Sequence, residues 1–172
     1  MDTLGDQRRP ERIAHSHLEL FRQRVYALAL GYADGNDAQE LRHDPVLKPL
    51  CGRAPISGAA LASQPTLSRF ENSLTPRQLV ALTRGLEQAV IARLKQRHPK
   101  ARKIVIDVDG TADPTHGQQF LSCFNGYYGS WCYLPLVGFL TVDDDPEQYL
   151  FAARLRPGNA SAWRGSLPLL RR

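Results

Sequence analysis

Two carboxylates two residues apart, Asp107 and Asp109, close the run "KIVIDVDGTADPTHGQQF". If Ile104, Val105 and Ile106 begin a strand, its period of two sends both acids to one face. Carboxylates gathered on one face favour a cation or a phosphate-handling edge, because like charges left together without compensation are costly. The plainer alternative is a solvated strand end, with Asp109, Gly110 and Thr111 serving as turn residues. Around this pair stand other polar candidates. The run "RLKQRHPKARK" holds Arg93, Lys95, Arg97, Lys100, Arg102 and Lys103 with no acid among them. It reads either as a phosphate-tracking stripe or as a solvated helix end favourable to the dipole. Arg154 and Arg156 are placed on one face of a later strand, beside the acids. His116 reads as a loop hydrogen-bonder, and Asp113 as a loop acid. Asp143, Asp144 and Asp145 read as a solvated turn.

The elements that must position these groups change character near Pro99. Before it, helical periods dominate. Ala14, Leu18, Phe21, Val25, Leu28 and Tyr32 recur at spacings of three and four, which predicts one buried face of a long helix. Asn36 or Asp37 caps a short second helix, and Asp44 precedes Pro45 at another helix start. Thr75, Pro76 and Gln78 form a capping-box signature before a helix carrying Leu79, Leu82, Leu86, Val90 and Leu94 on one side. "ISGAALASQPTLSRFENSL" reads as two short helices. As a helix-turn-helix they would present Ser68 and Arg69 to DNA, and as an ordinary pair they would only pack in a bundle.

After Pro99 the texture is β. One strand runs from Lys103 to Gly110. A second is read from Cys132 to Val142, irregular at Pro135, and a third crosses "QYLFAARLRPG". The acidic turn makes the last two an antiparallel hairpin, so the expectation is a three-strand meander followed by a helix near Ser161. "NGYYGSWCY" reads as core and loop anchoring. The fold class is therefore α+β, divided into 1–99 and 100–172, and the chain's end at Arg172 reads as a sheet left without its cover.

Composition narrows the function classes. The 172 residues carry 22 Lys+Arg against 17 Asp+Glu, a net charge of +5 that favours polyanionic partners. No run approaches a membrane span or a secretory leader, so a cytoplasmic protein without membrane contact is expected. Cys51, Cys123 and Cys132 fit neither a disulfide framework nor a zinc knuckle, and read as small buried hydrophobes in a reducing compartment.

Two resemblances attach to these strings. "DVDGT" resembles the first motif of haloacid-dehalogenase-type phosphatases, which would make Asp107 a nucleophile and Asp109 a general acid/base. That family continues with a parallel sheet and a later lysine, whereas this chain continues with antiparallel strands. No lysine occurs after Lys103. A second resemblance runs from Glu11 to Gly165. "ERIAHSHLELFRQRVYALALGYADGNDAQELRHDPVLKPLCGR", "LASQPTLSRFEN", "DVDGTADPTHGQQ", "FNGYYGSWCYLPL" and "ARLRPGNASAWRG" are similar, in that order, to bacterial insertion-sequence transposases of the group-one DDE type. The resemblance implies the first antiparallel strands of a ribonuclease-H-like catalytic core behind a helical DNA-binding region. It implies a first metal-ligating Asp, either Asp109 or Asp107, and Mg²⁺-dependent cleavage and transfer of DNA strands. It implies the element's terminal inverted repeats as partners, with self-association or pairing with an intact transposase. The second Asp and the Glu of that family's triad are not found, so the expectation is a truncated, catalytically incomplete transposase. The other outcome is a non-catalytic DNA-binding regulator or inhibitor of transposition.

Overall fold

The computed structural model describes Asp6, Arg8, Arg9, Glu11 and residues 13–170. Arg12 in the first of the similar strings, and Arg171 and Arg172 at the chain's end, lie outside them. The chain divides into two compact units, residues 1–81 and 82–172.

The first unit holds α1 (His17–Ala29), α2 (Asp37–Leu41), α3 (Leu47–Leu50), α4 (Gln64–Ser73) and the start of α5 (Pro76–Arg97). Local chemistry fixes where each helix begins. Ser16 and Glu19 close a capping box on α1. The Asp44 carboxylate accepts from the amides of Val46 and Leu47 at 2.8 and 2.7 Å, just before α3. Thr75 and Gln78 bond reciprocally before α5.

The apolar stripe predicted for α1 is not its buried face. Leu18, Val25, Leu28 and Tyr32 are exposed, while Leu20, Gln23 and Ala27 are buried. Gln23 decides the rotation. Its amide holds the main chain of Ala62 from both sides, Nε2 donating at 2.9 Å and Oε1 accepting at 3.0 Å. A polar residue can occupy a core when both its groups are satisfied. Leu20 then packs with Ala38, Ala62, Leu67 and Phe70, and Ala27 with Leu41, Leu47, Cys51 and Leu61. Residues 55–58 form a turn and a bend and 59–63 no helix, so only one of the two short helices expected between Ile56 and Leu74 forms.

In the second unit, β1 (Ile104–Gly110), β5 (Leu136–Val142) and β6 (Tyr149–Arg154) make an antiparallel sheet in the order β1-β5-β6. This is the meander expected from the sequence. Leu140, Val142, Phe151 and Ala152 pack against Leu94 and Val90, at the C-terminal end of α5. That packing is why the compact units divide within α5 rather than at residue 99. The remaining stripe of α5 is not buried: Leu79 and Leu86 are exposed.

The strand read from Cys132 to Val142 is two strands. Leu134 and Pro135 separate β4 (Ser130–Tyr133) from β5, since proline cannot donate to a ladder. β4 belongs to a second small sheet with β2 (Asp113–Pro114) and β3 (Cys123–Asn125), ordered β2-β4-β3. A turn over residues 162–165 precedes α6 (Ser166–Leu170).

Candidate functional site

Register places the two acids. Asp107 pairs with Phe139 and Asp109 with Val137, whereas the alternate rows join Ile106 to Leu140 and Ile104 to Val142. Leu140 and Val142 face the core, so Asp107 and Asp109 share the opposite face of β1. Both are exposed, not buried. Asp109 Oδ1 accepts from the Gly110 amide at 2.7 Å, which orients that carboxylate at the strand's end. Carboxylates two positions apart on a strand stand about 7 Å from Cα to Cα. Mg²⁺ is commonly held by one or two carboxylates with waters and phosphate oxygens completing an octahedron. The pair therefore suits a share of such a ligand set. Among the described residues no group of three or more His, Cys, Asp or Glu gathers in a metal-binding cluster.

The two arginines expected beside the acids behave differently. Arg154 pairs with Leu136, the partner of Gly110, so it lies on the core-side rows and not with Asp109. Arg156 is not on the strand, which ends at Arg154, and it is 4% exposed. Its Nε donates to Leu134 O at 2.8 Å, and its Nη1 reaches the carbonyls of Ser161, Ala162 and Arg164 at 3.2, 3.2 and 2.9 Å. Burial pulls its pKa below the ordinary arginine value, and Arg154's charge pulls the same way while Asp109 opposes. With Nε and Nη1 on four carbonyls and Nη2 buried without a partner, the guanidinium staples the loops near the end of β1.

The acidic turn is also not merely solvated. Asp143 takes a left-handed backbone (φ 51°) and its carboxylate accepts the amides of Lys103 and Arg102 at 2.8 and 3.0 Å. Asp145 Oδ2 lies 2.9 Å from His98 Nε2, and Glu147 takes Arg97 at 2.7 Å and the Tyr149 hydroxyl at 2.8 Å. Arg97 also lies over the Tyr149 ring. The turn thus latches the end of α5 to the start of β1, with Arg97 engaged by Glu147.

These bonds set a pH dependence. Main-chain amides hold Asp143 below the usual aspartate range, and the same is true of Asp145. Tyr149 and Arg97 lower Glu147. Depressed carboxylates contribute stability that is present above their unfolded pKa and lost as pH falls through the folded one. Asp143→Asn, which keeps an acceptor and tolerates the left-handed backbone, should therefore lower the urea midpoint at pH 7. The difference from wild type should shrink as pH drops below the ordinary value of 3.8. A difference that persists unchanged at low pH would show that the charge is not what the latch uses.

Arg93, Lys95, Lys100, Arg102 and Lys103 are exposed, along the end of α5 and the segment into β1. In the first unit, Arg69 is exposed on α4 and bonds to Thr66, and Ser68 is half-buried and accepts from Asn72. His116 is exposed and Asp113 sits in β2, not a loop. The run read as core and loop anchoring is largely outside, with Tyr127 89% and Trp131 60% exposed, and Phe124 just before it, 51% exposed, lies edge-on to Trp131. Cys132, next to Trp131, is the buried member.

Sequence reasoning missed the staple and the latch. Arginine before Pro-Gly and a triple aspartate carry no local mark of burial or of distant amide partners.

A family model described as transposase DDE domain group 1 matches residues 1–172. No curated protein and no solved structure matches the chain.

Proposed function

Because the chain belongs to the transposase DDE domain group 1 family, we propose that it acts in DNA transposition and that Asp109, or Asp107 beside it, supplies the first metal-binding carboxylate of a ribonuclease-H-like core. The observation carrying this reading is the exposed Asp107–Asp109 pair on the outward face of β1, on a strand that begins an antiparallel meander. Mg²⁺, when bound, would activate an attacking oxygen and stabilise the leaving oxygen of a phosphodiester. The chain's own part is to fix a carboxylate at a rigid strand end. The Asp109–Gly110 contact sets its direction and the Arg156 staple holds the loops beyond it. No helix among the described residues is long and apolar enough to cross a membrane. A cytoplasmic site of action, where the DNA lies, fits the reading.

In the second unit DNA binding falls to the exposed cations Arg93, Lys95, Lys100, Arg102 and Lys103, and in the first unit, separately, to Arg69 and Ser68 on α4. The terminal inverted repeats of the element are the proposed target. Since these cations are different residues from the metal-binding carboxylates, end binding and cutting are separable. A chain that binds ends without cutting would act as a regulator, either alone or paired with intact transposase. The phosphatase alternative loses support, because β1 sits in an antiparallel sheet.

The test is a mobility shift on duplexes bearing the element's ends, across a salt series. Replacing Lys95, Lys100, Arg102 and Lys103 by alanine should weaken binding and flatten the log–log salt slope by about 1 per lost phosphate contact. Arg97→Ala should leave that slope unchanged, because its guanidinium is occupied by Glu147. An unchanged slope in the fourfold variant would remove this surface from DNA binding. Isothermal titration with Mn²⁺ in the presence of end DNA tests the acids separately. Heat lost in Asp109→Asn but kept in Asp107→Asn would assign the ligand to Asp109.

A further inference from the structure

Cys123 and Cys132 are nine positions apart in the sequence and directly opposite in space. They are Cα partners across the antiparallel pair of β3 and β4. The type of pair is set by the neighbouring strand. Thr115 N donates to Trp131 O at 2.9 Å, so the main chain of Trp131 turns toward β2. By alternation that of Cys132 turns toward β3, which makes Cys123 and Cys132 a hydrogen-bonded pair with Cα atoms about 5.5 Å apart. A disulfide bridges Cα atoms roughly 4.4–6.8 Å apart, most often near 5.5–6 Å. Directly opposed residues also send their side chains to the same face of the sheet. Here that face is shared with Asn125, whose Nδ2 donates to Gly158 O at 2.7 Å. Both thiols are free in this structure.

Their accessibilities are unequal. Cys132 is 0% exposed and Cys123 is half-buried. Cys51 belongs to the other compact unit, is buried, and has its pKa pushed up to about 11 by that burial, which keeps it a poor nucleophile.

We propose that Cys123 and Cys132 form a dithiol site that closes to an intramolecular disulfide by exchange with a small-molecule disulfide. Cys123, the accessible thiol, loses its proton and attacks one sulfur of the small disulfide. The S–S bond of the reagent breaks and one small thiol leaves, carrying a proton. The Cys132 thiolate then attacks the Cys123 sulfur, and the second small thiol leaves with the other proton. Two protein thiols are oxidised and one small disulfide is reduced to two thiols. The product ties β3 to β4 beneath the exposed Phe124–Trp131 pair. The site stands independently of any role in transposition.

The experiment uses the reduced full chain in glutathione buffers of increasing oxidised fraction, quenched with acid, alkylated and read by intact mass and peptide mapping. The expected product has lost the mass of two hydrogens, alkylates at Cys51 alone, and yields one peptide joining Cys123 to Cys132. Cys132→Ser should stop at a glutathione adduct on Cys123, and Cys123→Ser should remain unmodified at Cys132. Three alkylatable thiols persisting through the most oxidising buffer would overturn the proposal. So would a stable adduct on Cys123 in the wild-type chain, or a bridge that includes Cys51. The wild-type result decides by itself, whether or not a serine variant folds.

Discussion

Replacing Arg156 with methionine is expected to destabilise the second unit by about 3 kcal/mol, among the larger losses available to one substitution outside an apolar core. The side chain is 4% exposed and supplies donors to the carbonyls of Leu134, Ser161, Ala162 and Arg164. Methionine roughly fills the stem's volume but donates nothing. The Leu134 carbonyl, left buried without a donor, costs about 1–3 kcal/mol, and the three part-buried carbonyls add to it. Relief of the buried charge's own desolvation offsets part of that sum. Both tryptophans, Trp131 and Trp163, lie in the second unit, so their fluorescence during urea unfolding reports on it directly. A loss below about 1 kcal/mol would mean that the carbonyls find other donors.

Gly110 supplies an internal check on the same staple. A Cβ there would sit 2.6 Å from Arg156 Nη2, and the guanidinium cannot swing aside without giving up its carbonyls. Gly110→Ala should therefore cost stability in the wild-type background and much less beside Arg156→Met, a coupling of about 1–2 kcal/mol between neighbours. Additive effects would separate the two residues. The coupling also bears on function, because Gly110 comes directly after the Asp109 carboxylate and donates to it.

What the sequence discloses about this molecule is what short-range chemistry decides. Asp44–Pro45 and Thr75–Gln78 mark helix starts because their bonds close within three residues. The β-branched run before Gly110 marks β1 for a similar reason, as does the apolar run closed by Val142 for β5. The face of α1 was not legible. Its rotation depends on Gln23 meeting Ala62, thirty-nine residues away, and hydropathy counts glutamine as solvent-facing. The small sheet was hidden because its strands are two to four residues long and lie in a glycine- and aromatic-rich run. The candidate site divides along the same line. Alternation along a strand puts Asp107 and Asp109 on one face. The positions of Arg154 and Arg156 depend on where β6 ends and how it registers on β5, which no local pattern encodes.

The other large loss is expected at Gly158, where space rather than hydrogen bonding is limiting. A Cβ at this position would meet Cys132 O at 2.1 Å and Cys123 O at 2.4 Å. Both atoms are main chain, so no side-chain rotation relieves the clash. Either the strands of the small sheet part or the loop carrying Gly158 lifts away. Lifting it would break the bonds from Asn125 Nδ2 to Gly158 O and from Gly158 N to Leu121 O. Gly158→Ala should then cost about 3 kcal/mol, at the upper end of overpacking penalties. Gly126, in the turn of the same hairpin, has nothing within 4 Å of its Cβ position and provides the control. Gly126→Ala should fall within about 0.5 kcal/mol of wild type. The two alanines change the unfolded chain equally, so the difference between them isolates the native contact. If they cost the same, Gly158 is not packed on the carbonyls of Cys123 and Cys132. If they differ as expected, the loop after β6 is what holds the β3–β4 hairpin in place within the second unit, which also carries Asp109. The hairpin's exposed aromatics would then be carried on a rigid support rather than on a free ribbon.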